Sequence, residues 1–225
     1  MDLFDIDELL YGSMKYLELE DEKSNSKNDR DAYINKTLIF SDRYVEALRS
    51  LGEGLKCTRN ILKSARAMVK HHHGNKYEDL YFIDSMTNKV LSRTDYTEKE
   101  KEVFPTAAML KMLKNNLNII AMHNHPTNDV PSPNDLMVCA QRHYKYGLII
   151  CHNGNIYKYK TEENLNITNA IMALNIFHKE KQALSDLTFD MYEFRNKRKE
   201  IMMELQKSLL DAGIVLEEVL CYDGD

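Results

Sequence analysis

The chain has 225 residues, enough to bury a real core and to hold one domain of common size with extensions. Its formal net charge of −5 gives no electrostatic reason to expect DNA or RNA as the main partner, because phosphate binding normally shows as a basic face. Cys57, Cys139, Cys151 and Cys221 are scattered, which argues against a disulfide scaffold; an acidic N-terminus and no membrane-length apolar run argue for a cytoplasmic protein without membrane contact.

In chain order, Leu3, Ile6, Leu10, Met14 and Leu17 mark an amphipathic helix over residues 3–17, and the charged, Ser/Asn-rich residues 18–31 read as a linker. A helix near Ser41 to Leu51, closed by Gly52, completes a helical N-terminal extension of residues 1–54. Thr58 to about His72 is again helical in pattern, with Ile61, Leu62, Ala65, Met68 and Val69 on the apolar side and Gly74 as the C-terminal stop. His71, His72 and His73 fan out around the axis of such a helix end and cannot all face one ion while the helix persists. They are expected as a solvated helix terminus whose dipole suits a partly charged imidazole.

Tyr77 to Ile83 has a strand pattern. A helix after Pro105, through Met109, Met112 and Leu113, leads into Leu117 to Met122, a short buried strand. Directly after it stand His123-Asn124-His125-Pro126. Alternate side chains of a strand share a face, so His123 and His125 project together while Asn124 points away. Pro126 stops the strand, Thr127 to Pro131 read as a loop, and Ser132-Pro133-Asn134-Asp135 read as a helix start with Ser132 as N-cap. Asp135 then sits on the first helical turn, where it can face back toward the histidines. Taken alone, Ser132 and Asp135 would be a capping pair. Joined to the two histidines, Asp135 completes a set of three ligands for one catalytic zinc, which leaves a fourth position open. His143 and His152 lie outside this spacing and are expected in surface or hydrogen-bonded roles.

A helix to about Lys145 then precedes the strand Leu148 to Cys151, and Asn153-Gly154 is a strong hairpin signal that returns the chain as Ile156 to Tyr159. Residues 161–225 are helical in pattern, with Met191, Phe194, Ile201, Leu205, Leu209 and Ala212 on one stripe and Gly213 placed to end it. The expectation is that this segment packs back on the domain; the rival is an arm for homo-oligomerisation or partner binding. The alternation of elements predicts an α/β (α+β) domain over residues 55–160, a layered mixed sheet flanked by helices.

The His-Asn-His-Pro run followed by Pro-Ser-x-x-Asp resembles a JAMM (MPN-plus, JAB-type) metalloprotease domain, closest to the prokaryotic and phage-associated, RadC-like branch, over roughly residues 55–160. The loop from His125 to Ser132 is one residue shorter than in the best-known members, a change a surface loop absorbs without moving its ends far. The resemblance implies a cytidine-deaminase-like fold and one Zn2+ per chain on His123, His125 and Asp135. It also implies a general base between the first helix of the domain and the following strand, and Glu78 matches that position. Asp79, its neighbour, would project to the opposite face. In that family the zinc activates a water, Glu78 would move its proton to the leaving amine, and Ser132 would donate to the developing oxyanion. The implied activity is hydrolysis of a peptide or isopeptide bond in a protein or peptide substrate, including a ubiquitin-like or other conjugated protein. Alternatives are a non-catalytic JAB-fold assembly module of phage or mobile-element origin, or a RadC-like protein whose activity the resemblance does not define. No helix-hairpin-helix DNA module is evident in the first 55 residues.

Overall fold

A computed structural model of the chain describes residues 33–94, 103, 105–113, 116–185 and 190–222. The helix expected over residues 3–17 and the linker at 18–31 lie outside the described residues. Helices α1 (Lys36–Ile39), α2 (Asp42–Arg49) and α3 (Leu55–His71) come first. Asn35 and Ser41 cap the first two by accepting from the amides of Leu38 and Tyr44. The chain then forms β1 (Leu80–Asp84), β2 (Lys89–Thr94), α4 (Ala107–Leu113), β3 (Ile119–His125), α5 (Pro133–Arg142), β4 (Tyr146–Cys151) and β5 (Ile156–Thr161). Helices α6 (Ile167–Ser185) and α7 (Met191–Asp211) and strand β6 (Ile214–Leu220) complete the order.

The fold is α+β, with one mixed sheet in the order β2-β1-β3-β4-β5-β6. Among the described residues only β3 and β4 pair in parallel, and α5 is the crossover between them. Alternation along β3 divides its residues between two cores. Ile119 and Ala121 join Leu80, Phe82, Ile149 and Tyr157 on one face, under α4, α5, α6 and α7. Ile120 and Met122 join Tyr81, Ile83, Leu148 and Ile150 on the other, against α1, α2 and α3. The first face carries His123 and His125, and the second carries Asn124.

Two elements differ from expectation. Strand β2 buries none of its residues fully and has no apolar alternation, so its pairing with β1 is what defines it. The segment 161–225 is not helical throughout: its last element, β6, pairs antiparallel with β5 and forms one edge of the sheet. Residues Ile214 to Leu220 are rich in aliphatic, partly β-branched side chains, and their first four alternate buried and exposed, which suits a strand with one covered face. The turn into it requires glycine. Gly213 has φ +81°, and a Cβ there would stand 2.9 Å from Asn164 Oδ1 and 3.1 Å from the backbone of Leu165.

Helices α6 and α7 pack back on the sheet through Leu174, Phe177, Leu205 and Leu209. Each such side chain, when fully buried, stabilises by about 1.5–3 kcal/mol. Arg198 of α7 also pairs with Glu218 of β6. The β4–β5 connection is a four-residue turn, His152–Asn155, in which Gly154 alone has a positive φ, +96°. A Cβ on Gly154 would meet Leu38 Cδ2 at 2.6 Å, so this tip is docked on α1 rather than open to solvent. Among the described residues no helix is long and apolar enough to cross a membrane.

Candidate metal centre

Strand β3 runs through both histidines, three residues past the end of its apolar run at Met122, and period two brings them onto one face. Both are buried, and their Nε2 atoms lie 2.9 Å apart. The His125 ring is oriented by the loop that follows: its Nδ1 is 2.9 Å from the carbonyl oxygen of Asp129. A carbonyl only accepts, so Nδ1 carries a hydrogen, and Nε2 is the nitrogen turned toward His123. Two ring nitrogens turned toward each other at this distance, with one tautomer fixed from behind, are arranged as ligands of a shared cation are.

Asp135 closes the arrangement. Ser132 caps α5, accepting from the Asp135 amide at 3.2 Å, while Asp135 Oδ2 accepts from the Ser132 amide at 2.8 Å and from its hydroxyl at 2.7 Å. Capping and ligation are therefore not rival readings of this pair. One carboxylate oxygen holds the capping box, and Oδ1 faces His123 Nε2 at 3.4 Å. Oδ2 also lies 3.6 Å from His125 Nε2, beyond hydrogen-bond length. The hydroxyl hydrogen of Ser132 points to Asp135, so in this arrangement Ser132 orients the carboxylate, and donation to an oxyanion would require it to let go.

Glu78 stands just before β1. It is buried, and a carboxylate oxygen of Glu78 lies within 4.8 Å of a ring nitrogen of each of His123 and His125. Asp79 turns to the opposite face, where His72 Nε2 is 2.7 Å and His71 Nδ1 3.1 Å from its carboxylate oxygens. The expected fanning of the three histidines is seen in His73 alone, whose Nδ1 accepts from the Ile34 amide at 3.2 Å. His72 is not solvated as expected, because the chain leading into β1 passes beneath the end of α3 and buries it. His152 is fully buried, 3.1 Å from Asn124 Nδ2, and His143 is an exposed left-handed C-cap of α5.

The site opens into a cavity of about 590 Å³. Glu78, His123, His125, Ser132 and Asp135 lie along it together with an apolar wall of Leu80, Phe82, Ala121, Val130 and Val138. Electrostatics follow from crowding charge in a dry place. Burial pushes the Glu78 carboxyl up against the pull of the two histidines. Burial would also raise Asp135, but His123 and His125 hold it well below the usual carboxylate range. Burial would lower the His125 imidazole, yet Asp135, Glu78 and the Asp129 carbonyl bring it up to about 9. Two carboxylates crowded against two imidazoles thus favour positive charge between them. The donor set, imidazole nitrogen with carboxylate oxygen, suits zinc among the common metals.

Sequence reasoning missed the Asp129 carbonyl and the role of Asn124. Only the position of Asn124 between the two histidines hinted at the latter. No family model matches the chain, and no curated protein or solved structure does.

Proposed function

We propose that the protein is a zinc-dependent hydrolase of the JAMM type that cleaves peptide or isopeptide bonds. The observation that carries this reading is the convergence of His123 Nε2, His125 Nε2 and Asp135 Oδ1 beside a buried Glu78 at the mouth of a cavity. The three ligands would hold one Zn2+, which would supply Lewis-acid activation of water and of the scissile carbonyl at neutral pH. The chain's own groups do the rest. Glu78, with its proton affinity raised by burial, accepts a proton from the attacking water at a carboxylate oxygen and delivers it to the leaving amine. Ser132 keeps Asp135 in its orientation. The apolar wall excludes water from the bond being cut and strengthens the local electrostatics.

The test is metal analysis of untagged protein purified without added metal, beside His123→Ala, Asp135→Ala and Glu78→Gln. One zinc per chain is expected in the parent, with severe loss in the first two variants, since three protein ligands barely suffice. Glu78→Gln should keep its zinc and lose turnover of a peptide or isopeptide library. Stoichiometric zinc in His123→Ala would end the assignment. A loaded parent that cleaves nothing in the library would leave the fold as a non-catalytic JAB-type module.

A further inference from the structure

We infer that Asn124 is a positioning residue for Glu78, an inference that rests on the reading of Glu78 as the proton-transferring group. The ladder between β1 and β3 ends at the pair Leu80 and His123, so residues 77–79 lie beyond its last register pair. Glu78 nonetheless has to be held at a fixed distance from the histidines. The two peptide groups that flank it are the Tyr77 carbonyl and the Asp79 amide, and Asn124 takes both. Its Oδ1 accepts from the Asp79 N–H at 2.7 Å, and its Nδ2 donates to the Tyr77 carbonyl at 3.0 Å. The amide cannot be the other way round, because an N–H needs an acceptor and a carbonyl needs a donor.

The second Nδ2 hydrogen lies toward His152 Nε2 at 3.1 Å, so both donors of the amide have a partner. His152 is itself fixed from the backbone, donating to His125 and accepting from Asn35. The Asp79 side chain is tied to His72 and His71 at the end of α3. Asn124 is fully buried and sits between the two histidines on the same strand. One short, rigid side chain therefore sets the Glu78 backbone relative to both rings from the back of the sheet. A fully buried Asn and a fully buried Asp cost free energy unless every polar atom is matched, and this role accounts for their presence behind the site.

The test uses Asn124→Asp, which keeps the shape and the acceptor for Asp79 but sets an oxygen against the Tyr77 carbonyl. Co2+-substituted protein is prepared from the parent, Glu78→Gln and Asn124→Asp, and metal content and the visible absorption spectrum are measured at one pH. Asn124→Asp should bind one Co2+ as the parent does and show a spectrum altered in the same sense as Glu78→Gln. Once a substrate is in hand, kcat should fall about 10–100-fold with KM unchanged, the size typical of groups that orient a metal site's inner residues. A folded, loaded Asn124→Asp protein with the parent spectrum overturns the inference. Loss of Co2+ also overturns it, because the residue would then hold the histidine strand rather than Glu78. If Glu78→Gln itself leaves the spectrum unchanged, the reading of Glu78 fails, and this inference with it. Hydrogen exchange of the parent protein decides the matter without any variant: the Asp79 amide should exchange as slowly as the Phe82 amide within the ladder, and rapid exchange overturns the inference.

Discussion

The two faces of the sheet at β3 carry nearly the same chemistry and put it to opposite use. On the front, His123, His125, Asp135 and Glu78 meet around a cavity, with the two Nε2 atoms 2.9 Å apart and the Asp135 oxygens 3.4 and 3.6 Å from them. On the back, His71, His72 and Asp79 also lie close enough to hold an ion. There, however, each carboxylate oxygen already has an imidazole nitrogen within 3.1 Å, and His72 Nδ1 is 3.0 Å from Asn75 Oδ1. Residue types alone do not separate a metal centre from a structural knot. The spacing differs: on the back each Asp79 oxygen is bonded to an imidazole, whereas on the front the Asp135 oxygens stand 3.4 and 3.6 Å from the ring nitrogens, which leaves that set the better placed to take a cation.

The comparison can be broken most violently by uncovering the front. A chain ending at Thr161 loses β6, α6 and α7, and with them the cover over Tyr157, Tyr159 and Leu136. The expected result is loss of a cooperative thermal transition and strong binding of a hydrophobic dye. A soluble truncated chain with a sharp calorimetric transition would show that the front face does not depend on its C-terminal helices.

A smaller effect sharpens the contrast from behind. His72→Ala leaves the Asp79 carboxylate short of its nearest partner, which should lower stability by about 1–3 kcal/mol in denaturant unfolding. Zinc per chain should not change, because no front ligand is touched. Metal loss in His72→Ala with the fold intact would move the metal to the back of the sheet.

The smallest expected effect concerns thiols: Cys139 and Cys151 belong to the front core and Cys57 to the back core, and none lines the cavity. Burial pushes Cys57 up to about 11 and raises Cys139 and Cys151 as well. The thiolate is the reactive form, so native protein at pH 8 should give one fast equivalent with a disulfide-exchange reagent, from the half-buried Cys221. The other three should react only after unfolding, or as the pH nears the raised values. Fast labelling of Cys57 would show that the back core opens more readily than its packing implies.

What could be read from the sequence was local. Period two placed His123 and His125 together, and the Ser-Pro-x-Asp start placed the α5 cap, because each depends on neighbours in the chain. Strand β2, Lys-Val-Leu-Ser-Arg-Thr, is an edge without a fully buried residue and carries no apolar rhythm to detect. Strand β6 has the right residues, but Glu217-Glu218 interrupts its alternation and its partner β5 lies more than fifty residues back. The start of α3 at Leu55 was three residues earlier than its apolar pattern, since Gly54 offers no side-chain cap to announce it. Burial of His72 and the grip of Asn124 on residues 77 and 79 arise only when distant segments meet. No window of sequence contains them.

The connectivity of β3, α5 and β1 gives the site a built-in order of assembly. His123, His125 and Asp135 lie within one strand–loop–helix unit, whereas Glu78 is 45 residues upstream of His123 and joins only when β1 docks along β3. Pairing of distant strands waits on closure of the intervening chain, and a hairpin at the rim of a sheet is also among the first pieces to open in local unfolding. On the proposed reading, holding an ion and using it would therefore be separable events. A protein caught with β1 detached would keep the three proposed ligands together and lack Glu78.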